Sequence, residues 1–467
     1  MSASHGPIPD REIHSLIEVL GEAPQVSYAP PSIYPMAAPV FDTASEMDRG
    51  DPPDGPIGIY AHVPFCNYKC TFCFYATRPV PGLDEMTRYV TALERELSWL
   101  PPEADLTQLY IGGGTPTVLP PELLDRLLTS IFARTTPGHE VHTVECSPDS
   151  ITEAHVDALL RHGVERVSMG VQTGSEGIRR SINRRHDDRQ VLDACDLLIA
   201  SGLMVNVDLI YGLPGQVEAD FRSDLELLMS RGIHSVTCYN LRVNEATPIG
   251  RLVTAEGRLD AVRLVRWREL TRNVARDQGF RQTRWHTYQR VENATAADAA
   301  ERFRDVTGWG DQLGVGVSAR SRLKDTIFRN HQKYDAYLGR IEAGRSPVEE
   351  KKALDAFEQR LRFVTLTLGE GRPLERSSYE AAFGAPFDED FGPPLERLVR
   401  AGAVLDDESR ISLTDRGRLV YDLATRAFYP ESVLRWMQER QELIGRSVNL
   451  RPPASHRRPL PDASPAR

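Results

Sequence analysis

Residues 57–75 read IGIYAHVPFCNYKCTFCFY, an apolar run that leads directly into three closely spaced cysteines. Ile57–Val63 is short and apolar enough to form a buried strand. Cys66, Cys70 and Cys73 follow it in a C-x3-C-x2-C arrangement. Sites in parallel α/β sheets lie beyond the carboxyl ends of the strands, which is where this loop begins. The spacing therefore predicts a metal centre held by three thiolates.

A [4Fe–4S] cluster suits this triplet, because three thiolates leave one iron free to bind a small molecule. Zinc is the alternative, but it usually takes a fourth ligand, and the nearest histidine, His62, lies inside the strand. Unligated thiols are the other alternative. Cys146, Cys195 and Cys238 are isolated among apolar residues, so we expect them to be buried free thiols.

Apolar runs and amphipathic stretches alternate along the first half of the chain. Six apolar runs predict strands: Ile57–Val63, Leu106–Ile111, Val141–Glu145, Arg166–Gln172, Met204–Ile210 and Ser235–Leu241. The stretches between them predict helices: Met86–Leu100, Leu123–Phe132, Val156–Leu160, Val191–Ile199 and Phe221–Met229. This alternation predicts an α/β fold with a parallel sheet, either doubly wound or curled into a barrel.

The composition indicates a globular protein with a substantial core. The chain has 467 residues, of which 40% are hydrophobic, and a formal net charge of −10. This charge gives no reason to expect nucleic acid as a partner. The sequence contains no apolar run of about 18 residues, so we expect no membrane span. Its beginning lacks the order of a secretory signal, and we expect a cytoplasmic protein.

The pattern divides the chain into five segments. Residues 1–54 have little periodicity and predict a partly ordered leader, and 55–250 predict the core barrel. Residues 251–350 predict an extension of the barrel that contacts substrate. Residues 351–445 predict a small winged-helix-like domain with two helices, a hairpin and a last helix. We expect 446–467 to be a disordered tail, because this segment is rich in proline and arginine.

Four strings resemble a known family. The strings IYAHVPFCNYKCTFC (59–73) and IGGGTPT (111–117) resemble the radical S-adenosylmethionine (SAM) superfamily. With SMGVQ (168–172) and DLIYGLPGQ (208–216), the sequence resembles its oxygen-independent coproporphyrinogen III oxidase group. The resemblance implies a partial (β/α)6 barrel and a [4Fe–4S] cluster that cleaves SAM reductively to a radical. It also implies a flavodoxin- or ferredoxin-type electron donor.

The resemblance also implies roles for residues near the strand ends. Tyr60, Gly113 and Glu145 would contact the SAM that is bound to the cluster. The residues that would hold a second SAM, or a group of the substrate, are Phe72, Gly114, Thr115, Gln172, Arg184 and Asp208. The resemblance therefore implies two SAM molecules.

Three departures from the decarboxylases of this group bear on the substrate. Tyr75 stands where those enzymes have a further cysteine, the segment 279–289 differs, and Arg320 replaces an apolar residue. These departures favour transfer of a methyl or methylene carbon from SAM to a natural-product substrate, by methylation or cyclopropanation, in a pathway with possible partner proteins. Tyr75, His286 and Tyr288 are then candidate bases. A haem-trafficking chaperone and a coproporphyrinogen III oxidase-type decarboxylase are the alternatives.

Overall fold

The computed structural model describes most of the chain. The described residues are 8–20, 48–52, 55–138, 140–242, 247–253, 261–284, 286–291 and 310–435. The predicted tail, 446–467, lies outside them, as does most of the predicted leader.

The helices cover the outside of the sheet. In chain order they are α1 (Asp10–Leu20), α2 (Leu83–Leu97), α3 (Pro121–Phe132), α4 (Glu153–Arg161), α5 (Glu176–Ser181), α6 (Asp188–Ala200), α7 (Glu218–Ser230), α8 (Pro248–Leu252), α9 (Ala261–Asp277), α10 (Tyr334–Glu342), α11 (Ala356–Gly369), α12 (Arg376–Phe383), α13 (Phe387–Arg400), α14 (Asp415–Leu419) and α15 (Tyr421–Arg426). None of these described helices combines the length and the apolar character that a membrane span requires.

The strands form one large sheet and two small ones. In chain order they are β1 (Ile57–Val63), β2 (Phe65–Cys66), β3 (Arg78–Pro79), β4 (Ala104–Gly113), β5 (Thr135–Pro137), β6 (Thr143–Cys146), β7 (Arg166–Gln172), β8 (Met204–Tyr211), β9 (Ser235–Asn240), β10 (Phe280–Arg284), β11 (Thr287–Arg290), β12 (Asp311–Val315), β13 (Arg320–Leu323), β14 (Thr326–Asn330), β15 (Val348–Ala353), β16 (Leu374–Glu375), β17 (Val404–Asp406) and β18 (Arg410–Leu413).

The six predicted strands lie side by side and parallel in the order β9-β8-β7-β6-β4-β1. The expectation of a parallel α/β core curled into a partial barrel is confirmed. A seventh parallel strand, β12, pairs with the free side of β1, where Ile59 faces Leu313. Antiparallel strands extend both ends of this run, with β13, β14 and β15 at one end and the β10–β11 hairpin at the other. Because all six strands run the same way, their carboxyl ends lie at one edge.

The burial of these strands explains why their apolar runs predicted them from the sequence. In β1, six of the seven residues are buried, because the sheet is covered on both faces. Helix α2 packs on the outer face through Tyr89, Val90, Leu93 and Leu97, which are spaced for one side of a helix. Helix α6 begins where it does because Asp187 and Gln190 form a capping box.

The C-terminal region has three helices where the sequence predicted two before the hairpin. Helix α12 ends at Gly384, whose φ of +68° is a left-handed conformation that favours glycine. Pro386 then caps the start of α13. The hairpin β17–β18 follows α13 and forms a three-stranded sheet with the short strand β16, which lies just before α12. The glycine and the proline therefore separate α12 from α13.

Helix α1 lies in the segment that we expected to be partly ordered and weakly periodic. Its buried residues Ile13, Leu16, Ile17 and Leu20 are spaced three and four apart and pack in the core of the C-terminal region. Arg416 forms an ion pair with Glu12 at the edge of this contact. Helix α1 was not predicted from the sequence, because its amphipathic pattern covers only 11 residues within a longer segment of little hydrophobic periodicity.

A buried ion pair fixes the strands beside β1. Glu96 of α2 is 3% exposed and pairs with the equally buried Arg49. Glu96 also accepts hydrogen bonds from Asn330 Nδ2 at 2.7 Å and from the backbone N–H of Gly316 at 2.7 Å. Gly316 follows β12, and a side chain there would lie 2.6 Å from the carbonyl oxygen of His62. The carboxylate thus joins α2 to the segment after β12 and to the end of β14.

We expect Glu96→Gln to lower the free energy of unfolding by about 3 kcal/mol, because it leaves a buried arginine without its counter-charge. Urea denaturation followed by circular dichroism measures this loss. Glu94→Gln is the matched control on the same helix, since the ion pair of Glu94 with Arg126 is partly exposed and worth less than about 1 kcal/mol. Equal losses in the two variants would contradict the prediction.

Candidate active site

A cavity opens at the carboxyl ends of the parallel strands. It contains about 1240 Å³ of space free of protein atoms, including its open mouth. The predicted site residues that line it are Cys66, Cys70, Phe72, Cys73, Tyr75, Gly113, Gly114, Thr115, Glu145, Gln172, Arg184 and Asp208. Among the residues predicted to bind the cluster or SAM, Tyr60 alone is absent from this lining.

Backbone hydrogen bonds hold the cysteine loop against two neighbouring segments. The N–H groups of Gly114 and Thr115 donate to the carbonyl oxygens of Val63 and Phe65 at 2.7 and 2.8 Å. On the other side, Asn183 Nδ2 donates to the carbonyl oxygen of Lys69 at 2.8 Å. The loop is therefore fixed by the glycine turn after β4 and by the segment after α5.

All three thiols are half-buried and face the cavity. Burial, with the nearby Cys73 as a smaller cause, raises the pKa of Cys66 to about 12, and burial also raises the pKa of Cys70. Among the described residues, no three His, Cys, Asp or Glu side chains are spaced to hold a single metal ion. Thiolates that bind different irons of one cluster lie farther apart than the ligands of one ion. Three thiols on one short loop at one cavity fit a [4Fe–4S] cluster.

The glycine turn is too close to its neighbours for any side chain. Gly113 has a φ of +112°, and a Cβ there would lie 2.5 Å from the His62 ring. A Cβ on Gly112 would lie 2.7 Å from Cδ of Glu145. Glu145 in turn accepts hydrogen bonds from the Gly113 N–H at 3.0 Å and the Tyr110 hydroxyl at 2.8 Å. The turn therefore holds the Glu145 carboxylate at the cavity wall.

Tyr60 points to a buried histidine. Its hydroxyl lies 3.0 Å from Nδ1 of His62, and Nε2 of His62 lies 3.0 Å from the carbonyl oxygen of Ala76. Burial lowers the pKa of His62 to about 4. A neutral ring with Nε2–H donating to Ala76 satisfies both contacts, so neither nitrogen is available as a zinc ligand. Tyr60 thus acts on the loop through His62.

Three polar side chains form another wall of the cavity: Gln172 of β7, Asp208 of β8 and Arg184 between α5 and α6. Gln172 ends β7 with a φ of +74°, a strained conformation for a residue with a side chain. A Cβ on Gly170 would lie 2.8 Å from Nη2 of Arg184 and 2.9 Å from Nε2 of Gln172. Asp208 accepts hydrogen bonds from Asn206 Nδ2 at 2.8 Å and Ser168 Oγ at 3.1 Å. An amide, a guanidinium and a carboxylate therefore share one cavity.

Several residues that line the cavity were not predicted from the sequence. Those that bear polar groups include Tyr68, Lys69, Ser147, Tyr239 and Arg242. Ser147, Tyr239 and Arg242 lie at or just beyond the ends of β6 and β9, so the rule that sites lie at strand ends could have found them. The free Cys146, Cys195 and Cys238 are buried as expected, and Cys146 also lines the cavity.

The three candidate bases do not lie together. Tyr75 lines the cavity, whereas His286 and Tyr288 do not. Nδ1 of His286 lies 3.3 Å from the Tyr421 hydroxyl, and burial lowers the pKa of this histidine to about 3. Tyr288 is 3% exposed in the core. Arg320, the third departure, is exposed on β13 outside the cavity.

We expect Gly114→Ala to prevent assembly of the cluster. A Cβ there would lie 2.5 Å from the carbonyl oxygen of Phe65 and 2.9 Å from Cys66 Sγ, so the loop would have to move. Iron per chain after anaerobic reconstitution should fall severalfold while circular dichroism stays unchanged. Gly82→Ala is the control, since its φ is −65° and nothing lies within 4 Å of the added Cβ. Normal iron content in Gly114→Ala would refute the prediction.

Two family descriptions match the sequence. The Radical SAM superfamily matches residues 60–228, and the HemN C-terminal domain matches residues 354–420. The first match contains the cysteine loop, the glycine turn and the strands from Tyr60 in β1 to β8, whereas Tyr239 and Arg242 of the cavity lie beyond it.

Curated relatives cover most of the chain. The heme chaperone HemW of Lactococcus lactis is 27% identical over 78% of this chain and 94% of its own length. An oxygen-independent coproporphyrinogen III oxidase of Cereibacter sphaeroides is 30% identical over 81% of this chain and 87% of its own length. The solved structure of coproporphyrinogen III oxidase (HemN) from Escherichia coli has the same fold, with a TM-score of 0.74 at 24% identity over 84% of this chain and 95% of that chain.

The expectation of a natural-product methyltransferase or cyclopropanase is wrong. The relatives carry the names of heme chaperones and coproporphyrinogen III oxidases, and those are the alternatives that we set second. Two of the three departures that favoured the first reading do not line the cavity: Arg320 and the described residues of 279–289. The chain belongs to the radical SAM superfamily, in the group of oxygen-independent coproporphyrinogen III oxidase and HemW.

Proposed function

We propose that this protein is a SAM-dependent oxidoreductase that oxidises a carboxylate-bearing side chain of a tetrapyrrole. The observation that carries the proposal is that three thiols share one cavity with the cationic side chains of Lys69, Arg184 and Arg242. Carboxylates on the substrate would pair with these cations. We infer that the substrate is a tetrapyrrole because relatives of this chain are named coproporphyrinogen III oxidase.

Membership of the superfamily implies a [4Fe–4S] cluster and SAM, and the bound pair supplies a radical that removes a hydrogen atom from the substrate. Cys66, Cys70 and Cys73 would hold the cluster. Glu145, which the Gly113 N–H and the Tyr110 hydroxyl hold in place, would orient the first SAM. Gln172 and Asp208 are placed to bind a second SAM or a polar group of the substrate.

The proposed reaction converts a propionate side chain to a vinyl group. The carbon next to the ring loses a hydrogen atom, and the carboxylate then leaves as carbon dioxide with loss of one further electron. This electron must pass to an external one-electron acceptor, and a low-potential donor such as flavodoxin or ferredoxin must reduce the cluster. The cavity would exclude water from the reacting carbon.

Haem binding without turnover is the second candidate function. It is favoured by relatives named heme chaperone HemW, which match over 94% and 99% of their own lengths. In this reading Tyr75, which occupies the place of the decarboxylases' further cysteine, would contact the bound haem, and a haem-accepting protein would be the partner.

Label transfer tests the two functions. The protein is reconstituted anaerobically with iron, sulfide, dithionite and SAM, and then given coproporphyrinogen III, coproporphyrin III or haem. The propionate carbons next to the ring carry deuterium. We expect deuterium in 5′-deoxyadenosine and a product that has lost carbon dioxide, both measured by mass spectrometry. Cleavage of SAM without label transfer from any of the three would overturn the oxidoreductase, and stoichiometric haem retention without transfer would support the chaperone.

Arginine variants test the role of the cavity cations. We expect Arg242→Gln to raise the KM for the tetrapyrrole about tenfold while kcat changes little, because a partly exposed ion pair with the substrate is lost. Arg320→Gln removes an arginine outside the cavity and should leave KM unchanged. A fall in kcat alone, or an equal change in both variants, would contradict this assignment.

The binding of an adenosyl ligand should depend on pH through Asp208. Burial raises the pKa of this carboxyl to about 6, so it gains a proton as the pH falls through that value. A ligand that donates to the carboxylate should bind about tenfold more weakly at about pH 5 than at about pH 7.5. Calorimetric titration with S-adenosylhomocysteine measures this, and Asp208→Asn should remove the dependence. An unchanged acid dependence in Asp208→Asn would rule Asp208 out as its cause.

A further inference from the structure

A buried asparagine connects the cavity to the interior of the sheet. Asn206 and Asp208 lie two positions apart on β8, so their side chains point to the same face of the strand. Asp208 lines the cavity, whereas Asn206 is 1% exposed and is not part of the lining. A buried amide is costly unless its polar atoms have hydrogen-bond partners. The partners of Asn206 therefore account for its place in the sheet.

Both ends of the Asn206 amide have partners. Its Nδ2 donates to Oδ1 of Asp208 at 2.8 Å and to Oγ of Ser168 at 2.9 Å. Its Oδ1 accepts hydrogen bonds from Ser235 Oγ at 2.7 Å and from Thr237 Oγ1 at 3.0 Å. Strand register explains these contacts, because Asn206 lies beside Ser168 of β7 and Ser235 of β9. An ionised carboxylate can only accept, so the amide nitrogen must face Asp208 and the two hydroxyls of β9 hold the oxygen.

The network supplies one hydrogen bond to each oxygen of the Asp208 carboxylate. Asn206 donates to Oδ1, and Ser168 Oγ donates to Oδ2 at 3.1 Å. The Thr287 hydroxyl of β11 lies 3.3 Å from the Thr237 hydroxyl, so the network also reaches the antiparallel hairpin beside β9. Each carboxylate oxygen can accept a second hydrogen bond. The network thus holds Asp208 from within the sheet and leaves acceptor capacity for a ligand in the cavity.

The neighbours of Asp208 include charged and titratable groups from several elements. Burial raises its pKa to about 6, and this rise is opposed by the charge of Arg166, by the hydrogen bonds from Ser168 and Asn206, and by the charge of Arg184. The titratable groups whose ionisation Asp208 also affects are Tyr75, Tyr110, Cys146 and Cys238. Burial raises the pKa of all four, so they stay neutral at about pH 7. Hydrogen bonds that stabilise the carboxylate therefore act together with two arginines against burial.

We propose that Asn206 is a positioning residue of the active site, which keeps the Asp208 carboxylate ionised and oriented to accept a hydrogen bond from a ligand. This inference rests on the proposed function, because that function places Asp208 against SAM or the substrate. Ser235 and Thr237 act on Asp208 through Asn206, since they fix the direction of its amide. Loss of the amide removes a donor to the charged form, so Asp208 should gain its proton at a higher pH.

Infrared spectroscopy of the reconstituted, anaerobic protein measures the ionisation of Asp208 without any ligand. The carboxylic-acid band that Asp208→Asn removes is followed from about pH 5 to about pH 9. We expect Asn206→Val to raise its midpoint by about one pH unit, a tenfold change in the acid dissociation constant. Gln108→Leu is the matched control and should leave the midpoint unchanged. It removes a buried strand amide whose Nε2 donates to the carbonyl oxygen of Val141.

Two variants of Thr237 separate orientation of the amide from packing. Thr237→Val keeps the shape but removes the hydroxyl that donates to Asn206, and it should raise the midpoint by about half a pH unit. Thr237→Ser keeps the hydroxyl and should keep the midpoint. The inference is overturned if Asn206→Val and Thr237→Val titrate like the unmodified protein, or if Thr237→Ser shifts the midpoint as much as Thr237→Val. The expected shifts in a protein that transfers no label from a tetrapyrrole would support this role of Asn206 and reject the oxidoreductase.

Discussion

The contact between the glycine turn and the cysteine loop is the constraint on which the site depends. Parallel pairing of β1 with β4 brings the ends of both strands to the same edge, so the two loops must occupy adjoining space. They do so because Gly114 and Thr115 donate backbone hydrogen bonds to the residues that enter the cysteine loop. A side chain on Gly114 would fill the gap, because its Cβ would lie 2.5 Å from the carbonyl oxygen of Phe65 and 2.9 Å from Sγ of Cys66. The cysteine loop can lie beside the turn because position 114 has no side chain.

The cavity lining combines polar and aromatic side chains. Glu145, Gln172 and Asp208 come from strand ends and are held by hydrogen bonds or by a strained backbone. Phe74, Tyr75 and Tyr239 come from the residues just after Cys73 and from the end of β9. Ligand sites commonly combine apolar and aromatic surface with a few fixed polar groups.

Much of the fold and part of the site could be predicted from the sequence, for reasons that differ between residues. Strands such as β1 and β7 are buried on both faces, so their apolar runs stand out and their predicted limits agree with the structure. Tyr60 is absent from the cavity lining, and its predicted contact with SAM stays a prediction. Tyr239 and Arg242 lie where strand β9 ends, but no motif marked them. The function was misjudged because the departures from the decarboxylases were given more weight than the motifs shared with them.

The burial of α1 among the last helices has a consequence for how the chain becomes a folded protein. The core around this helix contains Val265 of α9 and, more than three hundred positions after α1, Phe391 of α13 and Tyr421 of α15. The ribosome synthesises α1 long before these C-terminal residues, so this part of its apolar cover is absent while the barrel folds. The C-terminal core is complete only when both distant parts of the polypeptide have met.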